Sequence, residues 1–269
     1  MEFKSITPHL GAEVTGIDLS KAMDAETFEA LRTAWLKWGV LVFRDQCLNR
    51  DQHIALGHMF GVLHVHPMYK DKKEHREILK VATNANSAYT AGDGWHTDVT
   101  CDEFPPMGSM LYITETPSCG GGDTLFADMY LAYDLLSDTM KELLQGLTAI
   151  HDGALPYIGS YKSAAPEGGY PRNEHPVIVT HPETGKKVLY VNSGFTSHIK
   201  GLRANESRAI LEMLFRHISS TPKLVARVNW EPNTLTFWDN RCTQHFPLND
   251  YTGHERLLHR ITLKGDAPR

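Results

Sequence analysis

The stretch Lys223–Asp239, KLVARVNWEPNTLTFWD, decides the fold. It holds two short apolar runs, KLVARVNW (Lys223–Trp230) and TLTFWD (Thr234–Asp239), rich in Val, Leu, Phe, Trp and Thr. Such runs, too short for helices and enriched in β-branched and aromatic residues, read as strands. The pattern recurs on both sides. Downstream lies RLLHRITLKG (Arg256–Gly265). Upstream lie KVLYVN (Lys187–Asn192), HPVIVTH (His175–His181), GSMLYITE (Gly108–Glu115), EILKVA (Glu77–Ala82) and VLVFRD (Val40–Asp45). PETGKK, between two of these runs, is hairpin-like.

Helices are fewer. Asp24 can cap AETFEALRTAWLKWG, where Phe28, Leu31 and Trp35 recur at helical spacing. Asn49 can cap RDQHIALGHMF, with Gln52 in the capping-box position. A third helix is expected over Ala127–Leu147 and a fourth over ESRAILEMLFRHI after Asn205. Many strands with a few inserted helices predict a sandwich or barrel, not alternating βαβ units. Ser160–Asn173, rich in Gly, Pro, Ser and charge, reads as a long surface loop, a candidate lid. Strand-like runs continue on both sides of it, so one domain over 1–269 is expected.

Among 269 residues, 41% are hydrophobic and 22% charged, ordinary values for a globular chain. The formal net charge of −5 argues against a nucleic-acid binder, which needs a basic face. No run of about 18 apolar residues predicts a membrane span. MEFKSITPHLGAEV has no signal-peptide core, so the cytoplasm is the expected compartment. Cys47, Cys101, Cys119 and Cys242 form no C-x-x-C pair and are expected as reduced thiols, most of them buried.

The chemistry begins at GDGWHTDVT (92–100), where His96 and Asp98 stand two apart. With 15 histidines in the chain, His-x-Asp/Glu arises by chance. His75-Arg-Glu77 and His181-Pro-Glu183 also match. His75 lies in a charge run and His181 at a turn, so both are expected to be exposed. His96 follows a Gly-rich bend at a predicted loop-to-strand entry, and on a regular strand it would point the same way as Asp98. Two imidazoles and one carboxylate leave open positions on Fe(II) for a bidentate cosubstrate and O₂. The best third ligand is His245 in FWDNRCTQHFPLNDY. Arg256 and Arg260, four apart in the apolar run ERLLHRITL, would share a face. A buried guanidinium there calls for an anion such as a dicarboxylate.

Together these residues resemble the taurine dioxygenase / 2,4-dichlorophenoxyacetate dioxygenase family of Fe(II)- and 2-oxoglutarate-dependent oxygenases. The resemblance runs from LGAEVTGIDLS through VLVFRDQ, FGVLHVHPMY, WHTDVT, PPMGSMLYITETPSCGGGDTLFADMY, HPVIVTHPETGKKVLYVN and WDNRCTQHF to HRITLKGD. It implies a double-stranded β-helix, or jelly roll: mainly β, with flanking helices. It implies His96, Asp98 and His245 as iron ligands. It implies Arg256 and Thr124 as partners of the far carboxylate of 2-oxoglutarate, and Arg260 as the residue that binds an acidic group of the substrate. His66 and Tyr69 match taurine-contacting positions. Tyr157 and Phe195 are further pocket candidates, while His64 and Met68 read equally as packing beside the site. Gly92 and Pro156-Tyr157 depart from the taurine enzyme, which has Asn and Ser-Phe there, and so put taurine itself in doubt. A sulfonate, carboxylate or aryloxyalkanoate is the expected substrate, and a dimer or tetramer the expected assembly. Asp98 reads as a hydroxylating site, since the related halogenases lack this carboxylate. Two other classes stay open: a zinc hydrolase using the same three ligands, and a non-catalytic jelly-roll binding protein.

Overall fold

The computed structural model describes residues 1–65, 74–84, 94–159 and 168–269. Its strands are β1 (Glu2–Ser5), β2 (Ala12–Thr15), β3 (Val40–Phe43), β4 (Leu79–Thr83), β5 (Gly108–Glu115), β6 (Thr124–Asp128), β7 (Thr148–Asp152), β8 (Arg172–Pro176), β9 (Ile178–Thr180), β10 (Lys187–Leu189), β11 (Thr196–Ile199), β12 (Val225–Val228), β13 (Thr234–Asp239), β14 (Thr243–Pro247) and β15 (Arg256–Leu263). Its helices are α1 (Ala25–Trp38), α2 (Arg50–Phe60), α3 (Met129–Asp134), α4 (Asp138–Leu144), α5 (Ala154–Gly159) and α6 (Ala204–Ser219).

The large sheet runs β1-β2-β3-β13-β5-β15-β4, antiparallel except for the parallel β2–β3 pair. A second sheet, β12-β6-β14, faces it, and β11-β7-β8 and the β9–β10 hairpin complete the β layers. This is the jelly roll that the sequence predicts. The opening stretch shows why. Every residue of β13 is buried, so both faces of this strand are covered. Leu235 and Phe237 point to a core shared with α1 and α2. Trp238, from the other face, joins Val40, Val42, Phe126, Ala226 and Val228 between the two sheets. The two-residue period of a strand divides one run between two cores.

The outer helices are set by their caps. Asp24 accepts the Thr27 N–H at 2.8 Å, and Gly39 (φ +67°) closes α1 in the left-handed region that glycine tolerates. Trp35 of α1 then stacks on Phe237 at 4.4 Å. Asn49 and Gln52 form a complete capping box on α2. A Cβ on Gly57 of α2 would meet Leu63 at 2.9 Å and Ile261 at 3.1 Å, which explains a glycine inside a helix that packs onto β15.

Several expectations need correction. The helix expected over Ala127–Leu147 is instead the end of β6 followed by α3 and α4. Asp128 caps α3 and Ser137 caps α4, and both side chains accept main-chain N–H groups that a continuous helix would use internally. HPVIVTH divides into the end of β8 and β9, with Val177 between them. KLVARVNW opens with a 3-10 turn, Pro222–Leu224, before β12. His181 is buried, not exposed. All four cysteines are free, but only Cys101 and Cys242 are buried. Of the candidate lid, 160–167 lies outside the described residues, and β8 already begins at Arg172. Among the described residues, no helix is long and apolar enough to cross a membrane.

Candidate active site

β6 and β14 pair antiparallel, with His245 opposite Phe126. Beyond this pair, His96 and His245 exchange main-chain hydrogen bonds of 3.0 and 2.8 Å. Residues 149 positions apart in sequence are thus locked side by side, and their rings lie 4.1 Å apart. His245 sits on a strand of its own, which sequence reading left unassigned. Asp98 is in a turn, not on the strand expected for it. It still reaches the same point, and Val99, the next residue, has φ +49°.

Asp98 Oδ1 lies 3.8 Å from His96 Nε2 and 3.8 Å from His245 Nε2. These gaps are too wide for hydrogen bonds, and the three donor atoms lie within 4.8 Å of one another. His96 Nδ1 lies 2.9 Å from the Gly94 carbonyl. The N–H that donates there leaves the Nε2 lone pair facing Asp98. Burial pushes both imidazolium forms down. It takes His245 to about 3, with His96 and Arg260 adding to the shift and Asp98 opposing it. For His96, burial also outweighs the pull of Asp98. Burial pushes the Asp98 carboxyl up, but the charge and hydrogen bond of Arg260 pull it back below its usual value. The set is therefore two neutral imidazoles and one carboxylate, the donor set of a divalent transition metal. The other oxygen, Asp98 Oδ2, accepts a hydrogen bond from Arg260 Nη2, which also donates to Ser109 Oγ at 2.8 Å.

A second cluster, His181, Asp239 and Cys242, offers similar groups, but it is already satisfied. Asp239 accepts from Arg241 Nε at 2.9 Å and Arg241 Nη2 at 2.7 Å, and lies 3.1 Å from His181 Nε2. His181 Nδ1 accepts the N–H groups of Glu183 and Thr184 at 3.2 and 3.1 Å. Burial raises the Cys242 thiol far above its usual range, so it stays protonated. This cluster is a structural network, and the His96–Asp98–His245 set is the one with lone pairs to offer.

That set opens on a cavity of about 280 Å³ between the two sheets. Arg256, Leu258 and Arg260, alternate residues of β15, all line it. Arg256 donates through Nη2 to the Gly122 carbonyl at 2.9 Å and through Nη1 to Tyr251 Oη at 3.3 Å. Its guanidinium lies 5.2 Å from the Tyr251 ring and 5.8 Å from the Trp230 ring. Gly122 (φ +87°) allows this approach, since a Cβ there would meet Tyr251 at 3.1 Å. Thr124 Oγ1 accepts the Trp230 indole N–H at 3.0 Å, which leaves its own O–H to donate elsewhere. The Nε–H groups of Arg256 and Arg260 are buried without an acceptor among the described residues.

Sequence reasoning missed Trp230, Trp238 and Tyr251 in the lining, and Asn240 behind Asp98. Trp230 and Trp238 end strand-like runs, a weak signal that was available. Phe195 is buried, but it is not among the described residues lining the cavity. His66, Tyr69, Met68 and Gly92 lie outside the described residues, as does the side chain of Tyr157 on α5.

Two imidazoles and a carboxylate inside a jelly roll, with two arginines nearby whose Nε–H groups lack an acceptor, could hold a metal ion beside an acidic ligand. The chain belongs to the family described as taurine catabolism dioxygenase TauD, TfdA, whose model matches residues 2–262. It is 34% identical over 288 residues to an alpha-ketoglutarate-dependent sulfonate dioxygenase of Saccharomyces cerevisiae, covering 100% of this chain and 68% of that protein. It is 31% identical to an alpha-ketoglutarate-dependent sulfate ester dioxygenase of Pseudomonas putida, covering 100% of this chain and 91% of the relative. The crystal structure of a taurine dioxygenase from Burkholderia xenovorans matches at a TM-score of 0.86 and 35% identity, covering 99% of this chain and 90% of that one. The protein is thus a 2-oxoglutarate-dependent dioxygenase of a family that uses Fe(II), 2-oxoglutarate and O₂.

Proposed function

We propose that this chain, one catalytic domain over 1–269, hydroxylates a small acidic organic substrate: a sulfonate such as taurine, a carboxylate or an aryloxyalkanoate. The observation that carries the reading is the pair of arginines on β15. Both reach the cavity of the His–Asp–His set, and each has a buried Nε–H without an acceptor. Leaving such groups unpaired is costly, and two bound anions would satisfy both.

In this reading His96, Asp98 and His245 hold the ferrous ion. Arg256 and the Thr124 hydroxyl seat the far carboxylate of 2-oxoglutarate. Arg260 takes the acid group of the substrate, and His66, Tyr69 and Tyr157 are the further substrate-binding candidates that the resemblance adds. The bound iron supplies the oxidative chemistry, in which O₂ is consumed, 2-oxoglutarate becomes succinate and CO₂, and a substrate C–H becomes C–OH. The protein's own part is binding, orientation and exclusion of water. Val81, Leu111, Leu258 and Trp238 give the cavity apolar walls. Apart from Asp98, the described lining holds no carboxylate to pair with an amine. Where the hydroxylated carbon bears a sulfonate, an aryloxy or a sulfate group, the C–S or C–O bond breaks, releasing sulfite, a phenol or sulfate and leaving that carbon as a carbonyl.

Four unpaired cysteines favour a reducing compartment, and we assign the enzyme to the cytoplasm. A homo-oligomer is the assembly that the resemblance implies. A zinc hydrolase would leave the unpaired N–H of Arg256 without a partner. The test is succinate release across sulfonates, sulfate esters, aryloxyalkanoates and amino acids. One acidic class is expected to drive release stoichiometric with its own consumption. Turnover without 2-oxoglutarate would overturn the reading.

A further inference from the structure

Val99, one residue beyond Asp98, has φ +49°. A β-branched residue in the left-handed region is crowded by its own backbone, and it persists only where its surroundings over-determine it. Two buried amides flank it. On the Asp98 side, Asn240 Oδ1 accepts the Asp98 N–H at 2.9 Å, and Asn240 Nδ2 donates to the Asp98 carbonyl at 3.1 Å. The same Nδ2 also donates to the Pro106 carbonyl at 2.8 Å. On the Thr100 side, Oγ1 accepts from Asn192 Nδ2 at 3.1 Å and lies 2.8 Å from His151 Nδ1. Asn240 is 1% exposed, and its own N–H is tied to the Met107 carbonyl at 2.9 Å. The amide cannot be reversed, because its NH₂ would then face the Asp98 N–H, donor against donor.

We propose that Asn240 is a positioning residue for the metal centre, gripping both main-chain groups of Asp98 so that the strained Val99 turn presents the Asp98 carboxylate to the ion. The proposal rests on the metal reading above. Asp98 lies in a turn, where no neighbouring strand pairs its N–H and C=O. The Asn240 side chain takes the place of such a strand. Asp98 Oδ1 hangs from the gripped backbone by a stem with only two rotatable bonds, so a slip of the turn moves it away from His96 and His245 directly.

The test uses Mn(II) binding to the metal-free full chain, read from the electron paramagnetic signal of free Mn(II), without turnover. Asn240→Ala is expected to raise the Mn(II) Kd at least tenfold. Asn240→Ser, which cannot span both Asp98 groups, gives the same readout should the alanine variant not fold. Tyr112→Phe is the control. It removes a buried hydrogen bond of 2.6 Å to the Gln46 carbonyl, away from the site, and should lower Tm while leaving Kd within twofold. Adding Val99→Gly to the Asn240 variant relieves the strained φ. It should recover stability without recovering affinity, a separation that a merely structural asparagine would not give. A wild-type Kd in the Asn240 variants, or affinity returning together with stability in the double variant, overturns the proposal. A wild-type chain that takes up no Mn(II) overturns the functional reading itself.

Discussion

The two oxygens of Asp98 have different surroundings. Oδ1 faces both imidazoles at 3.8 Å, while Oδ2 is held by Arg260. A carboxylate so divided offers one oxygen to an ion, and its outer oxygen ties the metal site to the residue we assign to the substrate. Arg256, at the start of β15, has no such tie to a metal ligand: it donates to the Gly122 carbonyl and to Tyr251 Oη. The two arginines should therefore fail differently. Arg256→Ala is expected to raise the 2-oxoglutarate KM strongly, since losing one side of a buried charge-assisted pair costs about 2–5 kcal/mol. Arg260→Ala is expected to weaken the prime substrate far more than 2-oxoglutarate. Steady-state kinetics with each ligand varied in turn separates the two, and equal damage to both would mean that the arginines are misassigned.

At the scale of elements, α1 and α2 hold the outer face of the large sheet. Phe237, stacked on Trp35 at 4.4 Å and edge-on to Phe60 at 4.8 Å, is the centre of that contact. Phe237→Ala is expected to cost about 3–5 kcal/mol in urea unfolding, the range for a large aromatic removed from a packed core. His53 of α2 is a second probe. Burial, with a smaller push from His259, lowers its pKa to about 3, against 6.5 for the free side chain. As pH falls below 6.5 the unfolded chain takes up a proton that folded His53 refuses. The neutral ring's contribution is therefore intact above pH 6.5 and is lost progressively down to about pH 3. The loss approaches about 1.4 kcal/mol per pH unit within that window. Metal-free His53→Leu should show a shallower fall in stability between pH 7 and pH 4 than the metal-free wild type, by urea unfolding. Parallel curves would contradict this.

Elements also show what was legible. GSMLYITE and TLTFWD match β5 and β13 residue for residue, because a buried strand writes its composition into a short run. The α1 and α2 caps were equally readable, since capping is local. The Ala127–Leu147 region was not. Its helix-forming residues begin inside β6, which is held by pairing with β12 and β14 on either side. That pairing is tertiary and leaves no local mark.

Across the whole molecule, the site is assembled from distant segments. His96 and Asp98 were legible as a motif, but so were His75–Glu77 and His181–Glu183, and only context ranked them. His181 shows the limit, since its turn suggested exposure while Asp239, 58 residues away, holds it in the interior. His245 became a ligand candidate through the arginines that follow it and the resemblance they belong to. Asn240 carries no catalytic chemistry of its own, so nothing in the sequence marked it. The jelly roll brings these parts together by setting β14 and β15 in facing sheets, so that the His–Asp–His set and both guanidinium groups share one cavity.

The most direct measurement is an anaerobic titration of the metal-free chain with Fe(II) and 2-oxoglutarate, followed by visible absorption. One ferrous ion per chain is expected, with a charge-transfer band that appears only when 2-oxoglutarate is added and is absent in His96→Ala, Asp98→Ala and His245→Ala. No band in the wild type, or an undiminished band in all three variants, would contradict a ferrous centre built from these three residues.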